Sequence, residues 1–384
     1  MMLSSARTKI IVPYDILTIN EFTFPDRLAL VEIKIPNSVT LIGDNSFEGC
    51  NALVKVVIPT SVTIIGSCAF KGCSSLTEVV IPNGVTSIEC NTFEGCSSLI
   101  NIDIPDSVTS IGMDAFYACK SLTKVVIPDS VSSLGHWAFA ECSSLTNVVI
   151  SNSVTSIGHN IFYKCTFLTK IDIPNSITVV GSNAFSECTS LTKINIPDEV
   201  TEIGQYAFSG CTSLTKIKIP NNVTSIGTGA FEGCSVLSEV TFPNRVTFLD
   251  ENHIFAKCSS IRVAVVYSVN EPSVENTVVY NQIGQAFPRL CILIVPFTDL
   301  QYIDINNYSP CCSILATSPS ACIKAAQALY WNVHGMKVSN EDERTWLLVV
   351  LLCFDKYLFH EKLSLPAEMI QAILEMIKWS GMST

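Results

Sequence analysis

The chain has 384 residues, of which 48% are hydrophobic and only 15% are charged, and its formal net charge is −11. This composition allows a large core, and the acidic balance argues against a nucleic-acid partner, because phosphates attract basic surfaces. The N-terminus has few positive charges and no apolar stretch of signal-peptide length, so we do not expect export by the usual route.

Residues 1–35 share the spacing of the units that follow, and we interpret them as a degenerate N-terminal cap. Pro13 lies 23 residues before Pro36, and Arg27 stands where later units have a cysteine. The positions that are apolar in later units are apolar here too: Val12, Ile16, Ile19, Phe24, Leu30, Ile33 and Ile35.

Residues 36–258 consist of a unit that returns every 23 residues, for example IPDEVTEIGQYAFSGCTSLTKIKIP at 196–220. A fixed period of this length predicts a solenoid, in which each unit buries its apolar side only against its neighbours. The alternating apolar residues before each proline predict one short strand per unit, stacked in parallel. The proline then ends the strand, and a second short segment leads to a glycine.

Three residue types recur in fixed register within the unit. Glycine, which supplies either a positive φ or a close backbone approach, is found at 43, 66, 112, 135, 158, 181, 204 and 227. Phenylalanine, which predicts a stacked row of buried rings, is found at 47, 70, 93, 116, 139, 162, 185, 208 and 231. Cysteine is found at 50, 73, 96, 119, 142, 165, 188, 211 and 234, and Cys258 continues the series.

We interpret the ten cysteines of this series as a buried row of reduced thiols. A disulfide framework fits poorly, because equivalent cysteines share one environment. A zinc site also fits poorly, because the series contains no C-x-x-C pair and no accompanying row of histidines. Cys311, Cys312 and Cys322 lie outside the series and complete no recognisable metal motif.

The consensus I-P-x-S-V-T-x-I-G-x-x-A-F-x-x-C-x-S-L-T-x-V-x-I-P over residues 36–258 resembles the BspA-type leucine-rich repeat. The resemblance implies a curved leucine-rich-repeat solenoid with a stack of parallel strands and short turns, used to bind proteins or surfaces. It implies no catalytic residues.

The register decays after Cys258, and we interpret residues 259–317 as an irregular C-terminal cap with possible closing strands at 263–267 and 292–295. Residues 318–384 change to a helical period and predict a small helical tail, with helices near 319–333, 340–362 and 365–379. The apolar run at 346–354 is too short to span a bilayer. Residues 365–379, LPAEMIQAILEMIKW, resemble the opening of an F-box, although an ordinary helix also explains them.

Motifs of enzymes and cofactor sites are absent from the sequence. GTGAFEG at 227–233 does not meet phosphate-loop spacing, and its glycines belong to the repeat. The five histidines occur singly, without H-E-x-x-H, and G-x-S-x-G does not occur. We therefore expect no catalytic residue, no metal site and no cofactor.

The outward positions of the predicted strands vary while the scaffold does not, so we expect the partner to bind there. Val57, Val80, Val126 and Val149 form the predicted apolar part, and Lys193, Lys216 and Lys218 the basic part. Asp103 interrupts the valines, and Asp172 marks the start of the polar half. The alternative is that valine reflects only strand preference.

The sequence thus predicts a non-enzymatic scaffold that binds a protein partner on the strand face. A cell-surface or adhesion protein and a ubiquitin-ligase adaptor are the alternatives, and an enzyme is the least favoured. The thiols and the N-terminus favour the cytoplasm as the location.

Overall fold

The computed structural model describes residues 8–24, 27–243, 253–267, 290, 292–295 and 313–316. Within these residues, each fully described 23-residue unit forms one coil with a longer and a shorter strand, and all strand pairs are parallel. The described part is therefore a parallel β-solenoid of stacked coils, as the period predicts. Its only described helix is a 3-10 turn, Arg27–Ala29.

The longer strands stack into two successive sheets. The first sheet has nine strands, β1, β3, β5, β7, β9, β11, β13, β15 and β17, and the second has five, β19 and β21 to β24. Their bounds are β1 Thr8–Ile11, β3 Leu30–Lys34, β5 Lys55–Val57, β7 Glu78–Val80, β9 Asn101–Asp103, β11 Lys124–Val126, β13 Asn147–Val149, β15 Lys170–Asp172, β17 Lys193–Asn195, β19 Lys216–Lys218, β21 Glu239–Pro243, β22 Val263–Tyr267, β23 Ile292–Val295 and β24 Ser313–Ala316.

The shorter strands follow the proline turn and form three further parallel sheets. These strands are β2 Thr18–Ile19, β4 Leu41–Ile42, β6 Ile64–Ile65, β8 Ser87–Ile88, β10 Ser110–Ile111, β12 Ser133–Leu134, β14 Ser156–Ile157, β16 Val179–Val180, β18 Glu202–Ile203 and β20 Ser225–Ile226. A turn segment that holds the phenylalanine and the cysteine then returns the chain to the next long strand.

The rows of phenylalanine and cysteine form the centre of the core. Rings of adjacent coils stack from Phe24 to Phe255, with centroids 5.0 to 6.0 Å apart. The series cysteines from Cys73 to Cys234 are fully buried. The stacked row of rings predicted from the sequence is confirmed.

The recurring glycines allow adjacent coils to approach closely. A Cβ atom on Gly204 would lie 2.6 Å from the carbonyl carbon of Gly181, and one on Gly227 would lie 2.7 Å from that of Gly204. No positive φ occurs at these positions. Positive φ is found two and six residues later, for example at Asn183 and Glu187. Of the two explanations offered for these glycines, close backbone approach is therefore the correct one.

Both ends of the described stack continue the repeat. At the N-terminus, β1 pairs with β3, and Phe24 stacks on Phe47. At the other end, β22 and β23 lie where closing strands were predicted, and both pair in parallel with the sheet. β24 extends the sheet by a strand that was not predicted.

The predicted helices at 319–333, 340–362 and 365–379, with the F-box-like segment, lie outside the described residues. Within the described part, no helix has the length and apolar character needed to cross a membrane.

Candidate binding surface on the strand face

The strand face consists of the outward side chains of the long strands. In each three-residue strand from β5 to β19, the central side chain is buried in the core and the two flanking side chains are exposed. All nine predicted binding residues occupy these flanking positions: Val57, Val80, Asp103, Val126, Val149, Asp172, Lys193, Lys216 and Lys218. The structure therefore brings them onto one surface.

Four of these residues form an interrupted apolar row, which we call the valine strip: Val57, Val80, Val126 and Val149. They are 42 to 61% exposed. Asp103 lies in the middle of the strip, because it pairs with Val80 on one side and its strand is followed by that of Val126. Beyond Val149, the aligned residue is Asp172. Parallel strands lie about 4.8 Å apart, so the strip with Asp103 spans about 19 Å.

The basic part of the face is partly neutralised within the chain. Lys216 forms an ion pair with Glu239 of the next coil, and Lys218 lies 3.8 Å from Asp198. Among the described residues, Lys193 forms no such pair. Exposed pairs of this kind contribute little to stability, so a partner carboxylate can compete for these lysines.

A depression of about 540 Å³ opens in the strand face beside Asp103. Asp103 and Asp106 lie on its wall with Lys124 of the next coil, and Val126 and Pro128 provide apolar surface. Asp103 forms no ion pair with any described residue. The valine strip is therefore interrupted by a concavity as well as by a charge.

Behind the strand face, thiol hydrogen bonds join neighbouring coils. The Sγ of Cys119 donates to the carbonyl of Phe93, 3.2 Å away, and the same bond recurs from Cys73 to Cys258. Burial raises the pKa of Cys142 and of Cys188 to about 12. These cysteines are therefore protonated donors at neutral pH.

The turns after the short strands carry an aromatic group that the sequence analysis did not single out. The Trp137 ring packs edge-on against Tyr117 and Tyr163, with centroids 6.2 and 5.6 Å away. Lys164 lies 5.0 Å from the centre of the Tyr163 ring and 3.8 Å from Glu141. These contacts join neighbouring coils. Tyr117 and Tyr163 hold the same position two units apart, and Trp137 holds a different position in the unit between them, so no one position of the repeat contains the whole group.

Two histidines that we interpreted as isolated lie one above the other. The rings of His136 and His159 are 4.7 Å apart. The Nδ1 of His136 accepts a hydrogen bond from the amide of His159, and the Nδ1 of His159 accepts one from the amide of Ser182. At the same position of the unit, the Oδ1 of Asp44 accepts a hydrogen bond from the amide of Ser67. Their separation of 23 residues was the available signal, and their observed role is to join coils.

Within the described ranges, no cluster of three or more histidine, cysteine, aspartate or glutamate side chains has the arrangement of a metal site. The described residues also offer an exposed face with apolar and charged parts, which is typical of a protein-binding surface.

Comparison with known proteins identifies the repeat. The family model for the BspA type leucine rich repeat region matches residues 4–122, 65–188 and 135–262, in six copies. A solved leucine-rich repeat protein from Bacteroides ovatus is 27% identical, with a TM-score of 0.60, over 78% of this chain and 76% of that one.

Two further solved structures are similar in sequence and less similar in shape. A leucine-rich repeat protein from Eubacterium ventriosum is 26% identical, with a TM-score of 0.47, over 65% of this chain and 71% of that chain. A leucine rich cell surface protein from Faecalibacterium prausnitzii is 26% identical, with a TM-score of 0.42, over 69% and 88%. No curated protein matches the sequence.

Proposed function

Because the chain belongs to the BspA-type leucine-rich repeat family, we propose that it is a non-enzymatic scaffold that binds a protein partner on its strand face. The observation that carries the proposal is the valine strip. Four half-exposed valines lie in register on strands whose central residues are buried, and a row of apolar side chains of this kind is a surface that a partner can cover.

The charges around the strip favour an amphipathic partner. Asp103 and Asp172 are aligned with the valines, and the lysines of later coils follow them. Complementary charge fixes the register of a partner and excludes partners of the wrong sign. The polar half of the strand face therefore supplies specificity, and the valine strip supplies most of the buried apolar area.

The core explains why this face can vary without loss of the fold. The rings and thiols that hold neighbouring coils together lie behind the strands, and the outward side chains of the strands do not contribute to that packing. A change at Val126 therefore alters the surface and leaves the core contacts in place.

The test uses paired substitutions in the intact chain. A partner captured from native lysate is purified and titrated against Val126→Asp and Lys216→Glu, each checked for unchanged circular dichroism. Met113→Asp is the matched control, because Met113 is also exposed, lies in the turn after a short strand, and holds the position that Asp44 occupies naturally.

We expect Val126→Asp to weaken binding at least about ten-fold and Lys216→Glu to weaken it less, because Lys216 is already paired with Glu239. Met113→Asp should bind like the unsubstituted chain. Full affinity in both strand-face variants, with loss in Met113→Asp, would show that the strand face is only scaffold. The cytoplasmic location and the exclusion of nucleic acid remain predictions from the sequence.

A further inference from the structure

The spacing of the valine strip restricts the shape of a segment that can cover it. The strip runs across the strands, so successive contacts are separated by one coil, about 4.8 Å. An α-helix presents the same face once per turn, about every 5.4 Å. An extended segment presents the same face every second residue, about every 6.8 Å.

This difference accumulates along the five positions from Val57 to Val149. Over four coil spacings, a helix goes out of register by roughly 2 Å and an extended segment by roughly 8 Å. Side chains can absorb the first mismatch and not the second. A helix of about 15 residues, aligned along the stack, therefore presents a side chain to each of the five positions.

The centre of such a helix would lie over Asp103 and its depression. An apolar side chain there would bury the Asp103 carboxylate without a partner, which is unfavourable. A long cationic side chain would instead fill the depression and pair with Asp103, while its methylene groups contact Val126. Lys124 of the next coil also lines the depression and repels a cation, so a cationic side chain is favoured next to Asp103 and Asp106.

On the basis of the strand-face function above, we propose that the partner segment is an amphipathic α-helix with one lysine or arginine in the middle of its apolar face. This cation enters the depression beside Asp103, and the apolar residues on either side cover Val57 with Val80 and Val126 with Val149. The depression is thus the part of the face that sets the register of the partner.

Synthetic peptides test this arrangement directly. Each has about 18 residues, with leucines one helical turn apart on one face and arginine at the central position of that face. Matched peptides carry glutamine or glutamate instead, and another carries a proline beside the arginine to break the helix. Binding to the full chain is measured by fluorescence anisotropy, for the unsubstituted protein and for Asp103→Asn, Val126→Asp and Met113→Asp.

We expect the arginine peptide to bind at least about ten-fold more tightly than the glutamate peptide, with the advantage reduced at high salt. Asp103→Asn should remove most of that preference, and the proline peptide should bind weakly. Equal binding of the arginine and glutamate peptides, or binding by none, would overturn the proposal. Equal binding of the proline peptide would overturn its helical part.

The variants separate this proposal from the strand-face function itself. Suppose that Val126→Asp weakens binding of the captured partner, while Asp103→Asn changes neither that binding nor the preference for the arginine peptide. The strand face then binds the partner, and the proposal of a central cation is wrong. If Val126→Asp changes nothing, the strand-face function fails as well. Sedimentation equilibrium tests whether a second copy of this chain covers the strand face. A dimer that Val126→Asp dissociates would show that it does, and would overturn the proposal.

Discussion

The thiol of Cys142 donates a hydrogen bond to the backbone carbonyl of Phe116 in the preceding coil, across 3.2 Å. The same carbonyl accepts the amide of Cys119 within its own turn. Each bond of this kind joins one coil to the next, so the cysteine row contributes directed contacts as well as buried volume. The stability of the scaffold therefore depends on these thiols remaining protonated and buried.

Replacing Cys142 with alanine is expected to lower the free energy of unfolding by about 1 to 2 kcal/mol, since a buried hydrogen bond and part of the packing are lost. Urea titration followed by circular dichroism measures the change. Cys68→Ala is the control, because Cys68 is only partly buried and Ala118 already shows that alanine accepts a positive φ in these turns. Equal losses in both variants would contradict a special role for the row.

Alkaline conditions are expected to destabilise the fold. The pKa of Cys142 and of Cys188 rises from the ordinary value of 9.0 to about 12 through burial. Between these values the unfolded chain releases thiol protons that the folded chain retains, so stability is complete below about pH 9 and falls as the pH rises toward 12. Urea midpoints measured from pH 7 to 11 should show this decline, which is expected to be shallower in a variant with both cysteines changed to alanine.

Thiol labelling is expected to separate two classes of cysteine. In the native protein, the partly buried Cys68 and Cys90 should react before the fully buried Cys119, Cys142 and Cys165. Mass spectrometry after brief labelling identifies the modified residues. Rapid labelling throughout the row, or bridges between its members, would show that the row is not a set of buried thiols.

Truncating the ring at Phe139 is expected to cost about 3 to 5 kcal/mol, because the ring is fully buried and stacks on Phe116 and Phe162. Lys124→Ala is the surface control and should change stability by no more than about 0.5 kcal/mol. Similar denaturation midpoints for the two variants would show that the stacked rings contribute little to the stability of the fold.

Alanine substitutions at two glycines are expected to distinguish a glycine needed for close backbone approach from one needed for a positive φ. At Gly204 an added methyl would meet the backbone of the preceding coil, so Gly204→Ala should destabilise by about 3 kcal/mol or prevent folding. At Gly233, where φ is +72° and the nearest atom lies 3.8 Å away, alanine should cost about 1 kcal/mol. Thermal unfolding of both variants compares them, and the reverse order would contradict the packing described here.

Residues in strict register were predictable from the sequence, because every coil repeats the same environment. The buried rows, the parallel strands and the exposure of Val126 or Lys193 follow from period and alternation alone. The role of Gly204 needed coordinates, since spacing does not separate a tight approach from a left-handed turn. The depression beside Asp103 could not be predicted from the sequence, because it depends on how Lys124 and Pro128 of the next coil are arranged around the short Asp103 side chain.

The most direct test of strand-face binding is to record which face the partner contacts. A photo-crosslinking amino acid is placed at position 126 on the strand face or, as control, at position 113 in a turn, and each folded chain is irradiated with the purified partner. We predict a crosslinked product from position 126 and none from position 113. Crosslinking from position 113 alone would contradict the proposed binding surface.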